Sequence, residues 1–187
     1  REALTTILPE DIPSIIESKG SRKLDMLNNM IGLTQLKESI QNHLNYVKLC
    51  NNRMMAGLSS QMPPLHMVFT GNPGTGKTTV ADFMGEIYAS MGLLSKGDII
   101  RVEKSDLIGE HVGETEQKVK SVLNRAKGNI LFIDEAYQLC AKDGKNDFGA
   151  NVIDTLLTTL SNDRVDMIVI LAGYPADMER MMDMNEG

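Results

Sequence analysis

The 187-residue sequence has no tryptophan, four phenylalanines, four tyrosines and two cysteines. Cys50 and Cys140 lie far apart with no CxxC or Cys/His cluster, so neither a disulfide framework nor a zinc site is expected, and a reducing, cytoplasmic compartment is. The longest apolar runs, such as Met167 to Ala172, fall far short of the ~20 residues that cross a bilayer, and no signal-peptide pattern opens the chain. A membrane-bound or secreted protein is not expected. Basic side chains number 19 against 25 acidic, a formal net charge of −6, so no global field draws nucleic acid or an anionic membrane. With aromatics at 4% and 13 methionines, thioethers and aliphatics must fill the core. A composition 42% hydrophobic and 24% charged excludes disorder and fits one globular domain.

Residues 1–24, with Pro9, Pro13, Gly20 and mixed charge, read as a leader or linker, and residues 25–187 as the core. Leu36, Ile40, Leu44 and Val47 recur at helical spacing between Thr34 and Met55. A buried-type strand, Leu65 to Thr70, then meets a glycine-rich turn. The next helix carries Val80, Phe83, Met84, Ile87, Tyr88 and Met91 on one face and ends at Gly92, placed as a C′ glycine. The alternation continues with a strand at Ile99 to Glu103, a helix from Glu114 to Lys127 and a strand from Asn129 to Asp134. A polar loop through 142–146 precedes a helix bearing Val152, Ile153, Leu156, Leu157 and Leu160, and Met167 to Ala172 form the last strand. Strands without polar alternation, separated by amphipathic helices, imply a parallel sheet covered on both faces. The expected class is a three-layer α/β fold, and no internal repeat is present.

Gly71-Asn72-Pro73-Gly74-Thr75-Gly76-Lys77-Thr78 matches G-x-x-x-x-G-K-[ST] between a strand and a helix, the setting that a phosphate-binding loop needs. Glycines let backbone N–H groups turn inward around phosphate oxygens, and the helix presents its positive end to them. Such a match arises by accident in roughly 1% of chains this long. Asn72 to Thr79 are therefore the candidate binders of ATP, with Lys77 reaching the β- and γ-phosphates and the Thr78 hydroxyl on Mg²⁺. Asn129 to Glu135 is an apolar strand ending in two acids. Carboxyl ends of parallel strands face the ligand crevice, so Asp134 can meet the same Mg²⁺ and Glu135 can polarise the attacking water. Two solvated acids capping a strand would be the bland reading if the pair stood alone. Asp106-Leu107-Ile108-Gly109 matches the DxxG of GTPases, but no NKxD follows to read guanine.

Taken together, Leu27 to Leu33, His66 to Ala81, Ile133 to Tyr137 and Ile170 to Tyr174 resemble AAA+ ATPases, and most of all the CbbX-type branch with red-type Rubisco activases and stage V sporulation protein K. The resemblance spans about residues 24–185. It implies a P-loop NTPase core with sheet order 1-4-3-2 that works as a hexameric, ATP-driven remodeller of protein partners. It further implies that Ile31 and Gly32 lie against adenine, and that His111-Val112-Gly113 is a pore loop in which His replaces the usual aromatic. An exposed loop histidine without a role fits that stretch as well. Sensor 1 falls on Tyr174, where a structural Tyr–Pro turn is an equal reading.

Other features have plainer readings. Met178, Met181 and Met182, at i, i+3 and i+4, are expected to pack into the core or a subunit contact. His43 and His66 lack companions for a metal site and read as structural. The family's arginine finger lies about 18 residues past sensor 1 in a stretch resembling N-P-G-L-x-S-R, so Arg164 and Arg180 are not assigned that role. The finger, fifth strand and helical lid are expected outside this sequence, which implies that the chain binds nucleotide but turns it over slowly. With the fifth strand missing, the leader or another chain is expected beside the first strand. A nucleotide-gated interaction module that threads nothing is the rival, motivated by the lost pore aromatic.

Overall fold

In the computed structural model, residues 25–27, 29, 34–58, 62–109, 111, 113–140, 148–160 and 166–183 are described. Helix α1 (Thr34–Met55) leads to β1 (Met67–Thr70), α2 (Lys77–Ser90), β2 (Ile99–Val102), α3 (Lys104–Leu107) and α4 (Glu114–Ala126). Then come β3 (Ile130–Ile133), a 3-10 turn (Ala136–Leu139), α5 (Phe148–Leu160), β4 (Ile168–Gly173) and α6 (Pro175–Asp183). The four strands form one parallel sheet in the order β1-β4-β3-β2, as the resemblance implied.

The sheet divides the core into two layers by strand alternation. Ile130 and Phe132 of β3 join Ile168, Ile170 and Ala172 of β4 beneath α1 and α2. Leu131, Ile133 and Val169 point the other way, against α4, α5 and α6. Both faces are covered, which is why the central strands carry no polar alternation. Tyr88 of α2 is fully buried, and its hydroxyl lies 2.9 Å from His43 Nε2. His43 thus links α1 to α2. Helix α2 ends as the sequence implied. Gly92 takes φ 74, and the Leu93 N–H returns to the Tyr88 carbonyl at 2.9 Å.

Several expectations need correction. Strand β1 starts at Met67, two residues later than the apolar run suggested, because the Val169 N–H donates to His66 Nδ1 at 3.1 Å. The imidazole nitrogen there accepts a bond that a backbone carbonyl would otherwise take. Of the three methionines expected in the core or a subunit contact, Met178 and Met181 enter the core, and Met182, 57% exposed, is left to the second reading. Asp106 is absorbed by α3, which had no periodic signature. The Glu103 N–H donates to Asp106 Oδ2 at 2.8 Å while the Asp106 N–H donates to the Glu103 carbonyl, a reciprocal cap.

Among the described residues strand β1 is a sheet edge, and its Val68 is 40% exposed. The leader expected to cover it lies outside the described residues, as do the polar loop at 142–146 and Arg164. Among the described residues no helix is long and apolar enough to cross a membrane.

Candidate functional site

The glycine-rich turn leaves β1 while still tied to the sheet, since the Gly71 N–H donates to the Gly173 carbonyl at the end of β4 at 3.1 Å. Gly74 (φ 73) and Gly76 (φ 84, ψ 13) take left-handed backbone that a side chain would strain, and so the loop can curl into the start of α2. No side chain caps α2, which leaves its first-turn amides and its positive end available to an anion. Lys77 folds back across the loop. Its Nζ donates to the Gly71 and Asn72 carbonyls at 2.8 and 3.1 Å, and Thr75 Oγ1 donates to the same Asn72 carbonyl at 2.8 Å. The ammonium is thereby held within the space that the loop encloses.

The acids come from the carboxyl end of β3. The Asp134 N–H donates to the Val102 carbonyl at 3.0 Å, continuing the pairing with β2 one residue past the strand. Asp134 Oδ1 accepts the Glu135 N–H at 3.0 Å. Glu135 itself takes φ 49 and ψ 43 and caps the 3-10 turn, and Gln138 Nε2 donates to its Oε2. Tyr137 packs on Tyr174 with ring centroids 5.9 Å apart. Burial, and then the Glu135 charge, raise the Tyr137 phenol above its usual range.

These parts surround one cavity of about 1000 Å³, lined by Pro73 to Thr79, Asp134, Glu135, Gly173 and Tyr174. The structure therefore brings together the sequence-derived phosphate loop, the acid pair and the Tyr174 position. Glu103, Lys104, Ser105, Ile108 and Gly109 also line it, and sequence reading gave none of them a part in the site, although Ile108 and Gly109 belong to the DxxG-like stretch. The signal shared by all five was position, just past the carboxyl end of a parallel strand. Gln138 was missed too; its signal was its place three residues after Glu135.

Other candidates stand apart. His111 is exposed and its N–H donates to Glu114 Oε2 at 3.1 Å, while Gly113 (φ 89) caps α4; neither lines the cavity. Val112, Ile31 and Gly32 lie outside the described residues.

The donors suit magnesium held jointly with phosphate. Thr78 offers a hydroxyl and Asp134 a carboxylate, both oxygen ligands on the cavity wall. Among the described residues no cluster of three or more His, Cys, Asp or Glu side chains could hold a metal by itself. A hard cation that keeps several waters and binds phosphate needs no such cage.

Residues 67–182 match the family described as ATPase family associated with various cellular activities (AAA). Protein CbbX of Cereibacter sphaeroides is 39% identical over 188 residues, covering 100% of this chain and 61% of that protein. The chloroplastic ribulose bisphosphate carboxylase/oxygenase activase of Cyanidioschyzon merolae is 44% identical over 163 residues, covering 87% and 56%. ESX-3 secretion system protein EccA3 of Mycobacterium leprae is 45% identical over 161 residues, covering 86% and 25%. The chain thus spans about a quarter of EccA3 and about three fifths of CbbX. A family match across the sheet, the loop and the acid pair, joined by relatives of the CbbX type, places this chain in the AAA family as a nucleotide-binding ATPase domain.

Proposed function

We propose that the cavity binds ATP with Mg²⁺ and hydrolyses it, and that the complete protein uses this cycle, as a hexameric ring, to remodel a protein partner. The observation that carries the reading is the convergence of the glycine loop, Lys77 and the acid pair on one cavity at the carboxyl ends of the parallel strands. In this reading Asn72 to Thr79 cradle the triphosphate. Lys77 exchanges its carbonyl partners for β- and γ-phosphate oxygens, and Thr78 and Asp134 hold Mg²⁺. The cation would neutralise phosphate charge as the terminal phosphoryl leaves. Glu135 orients the attacking water, Tyr174 takes the sensor-1 position, and Ile31 and Gly32 lie against adenine.

An arginine from a neighbouring subunit would complete the site, a contribution worth about 10³–10⁵ in rate where such fingers act. The 187 residues alone are then expected to bind nucleotide and turn it over slowly. Calorimetric titration with ATP and Mg²⁺, together with phosphate release measured across protein concentrations, tests this. Tight binding with slow turnover is the expected outcome, and rapid, concentration-independent turnover would refute the need for a neighbour.

The partner is a separate matter. The relatives' names point to different tasks, a secretion system for one and a carboxylase activase for another, at nearly equal identity. The shared core therefore supports a common motor and leaves the substrate to other parts of the protein. The exposed His111, where the branch carries an aromatic, favours a second reading, a nucleotide-gated docking module that threads nothing. Changing His111 and Val112 together separates the two. Loss of remodelling with normal hydrolysis supports a gripping pore loop, and intact remodelling supports the gated module.

A further inference from the structure

Glu135 caps the turn Ala136–Leu139, and that turn is a 3-10 helix. Three residues per turn stack side chains at i and i+3, so residue 138 stands over residue 135. Gln138 meets Glu135 twice. Its backbone N–H donates to the Glu135 carbonyl at 2.8 Å, and its side-chain amide donates to Glu135 Oε2.

The backbone beneath this pair is held in place. Among the described residues Glu135 alone has a positive φ without being glycine, a conformation that persists only where the surroundings impose it. Ala136 and Leu139 are buried in the core. On the far side α5 lies so close that a Cβ on Gly149 would stand 1.7 Å from the Leu139 carbonyl oxygen. The turn thus has little room to shift, and what remains to be fixed is the Glu135 side chain with its three torsions, which the Tyr137 phenol also meets.

We propose that Gln138 is a positioning residue for hydrolysis: its amide pins the Glu135 carboxylate by one oxygen and leaves the other to accept from the attacking water. This rests on the reading of Glu135 as the water-orienting group. A carboxylate swinging through its rotamers spends much of its time misaligned, and fixing it beforehand removes that cost at the moment of reaction. A neutral amide suits the task. It holds the carboxylate without cancelling the charge that makes it a good acceptor, as a lysine or arginine would.

Gln138 is exposed, so substitutions there spare the fold. Gln138→Met keeps the length and removes the donor. In ATP hydrolysis by the assembled full-length protein, kcat should fall roughly tenfold with KM unchanged, the scale of one hydrogen bond to a charged group. In a Glu135→Gln background the same change should cost nothing further, because the group it positions is gone. A readout independent of turnover is the side-chain amide of Gln138 in nitrogen-15 NMR spectra without nucleotide, whose signals should move on Glu135→Ala. A kcat that stays the same or rises, an equal loss in both backgrounds, or amide signals that ignore Glu135→Ala would each overturn the proposal. The two failures are distinguishable. If Glu135→Gln leaves kcat intact, the reading of Glu135 falls and takes the proposal with it; if Glu135→Gln lowers kcat while Gln138→Met leaves it unchanged, only Gln138 is misassigned.

Discussion

The N–H of Gly71 donates to the carbonyl of Gly173 at 3.1 Å, so the phosphate loop departs from β1 only after one last bond to the end of β4. That bond places the loop beside a crowded corner. A Cβ on Gly173 would come within 2.7 Å of Met178 Sδ and 2.8 Å of Tyr137 Cδ1. Met178 is fully buried and has little room to yield.

Gly173→Ala should therefore destabilise the domain by about 1–3 kcal/mol, the usual cost of overpacking a filled site. It should also weaken ATP binding, since the corner that anchors the loop must move. Urea denaturation and nucleotide titration check the two effects. An unchanged denaturation midpoint would show that the corner relaxes at no cost.

Lys77→Ala tests the loop itself. The ammonium bonds the Gly71 and Asn72 carbonyls, so its removal opens those contacts without emptying a core position. Fold stability should change little. ATP affinity should fall about 10- to 100-fold, as expected for losing charge-assisted bonds to phosphate. Calorimetric titration of the variant, alongside its melting curve, separates binding from folding, and wild-type affinity would remove Lys77 from the site.

How much of this was legible depends on the range of the forces involved. The loop from Gly71 to Thr78 announces itself because its shape needs glycine at fixed positions and its chemistry needs Lys77, all within eight residues. The parallel sheet was legible because Ile130 to Ile133 must be apolar on both faces. Short elements were not, because contacts distant in sequence or side-chain caps fix them. Helix α3 exists through the exchange between Glu103 and Asp106, and that exchange turned a GTPase-like pattern into a cap. The start of β1 depends on His66 meeting Val169, 103 residues away. Spacing alone did not separate Met182 from its neighbours: it follows Met181 by one residue, which on a helix turns the side chain about 100° and, on this narrow buried stripe, into solvent.

Asp134 and Glu135 are adjacent, yet they should fail differently. Asp134 Oδ1 is engaged by the next residue's N–H, and its carboxylate shares the cavity wall with Thr78. Asp134→Asn should reduce the gain in ATP affinity that Mg²⁺ brings. Glu135→Gln should keep affinity and lower kcat by about 10²–10⁴, the range for a lost general base. Titrations with Mg²⁺ and with EDTA, paired with phosphate release, read both. If the two variants behave alike, the division of labour between the acids is wrong.

The histidines make stability depend on pH in a direction that can be worked out. Burial lowers His43 and His66 below the ordinary imidazole value of 6.5 that each recovers on unfolding. Just below pH 6.5 the unfolded chain therefore binds more protons than the folded one, so stability rises with pH through that window. The contribution is complete above about pH 6.5 and is lost as pH falls through the depressed folded values. Protonating His66 has a structural consequence as well, since Nδ1 then carries a hydrogen and cannot accept the Val169 N–H. Denaturation midpoints between pH 7.5 and 5.5 should fall with pH in the wild type. His66→Asn, which offers an acceptor that does not titrate, should flatten that fall, and an identical slope in both proteins would mean that the imidazole at the head of β1 contributes nothing to it.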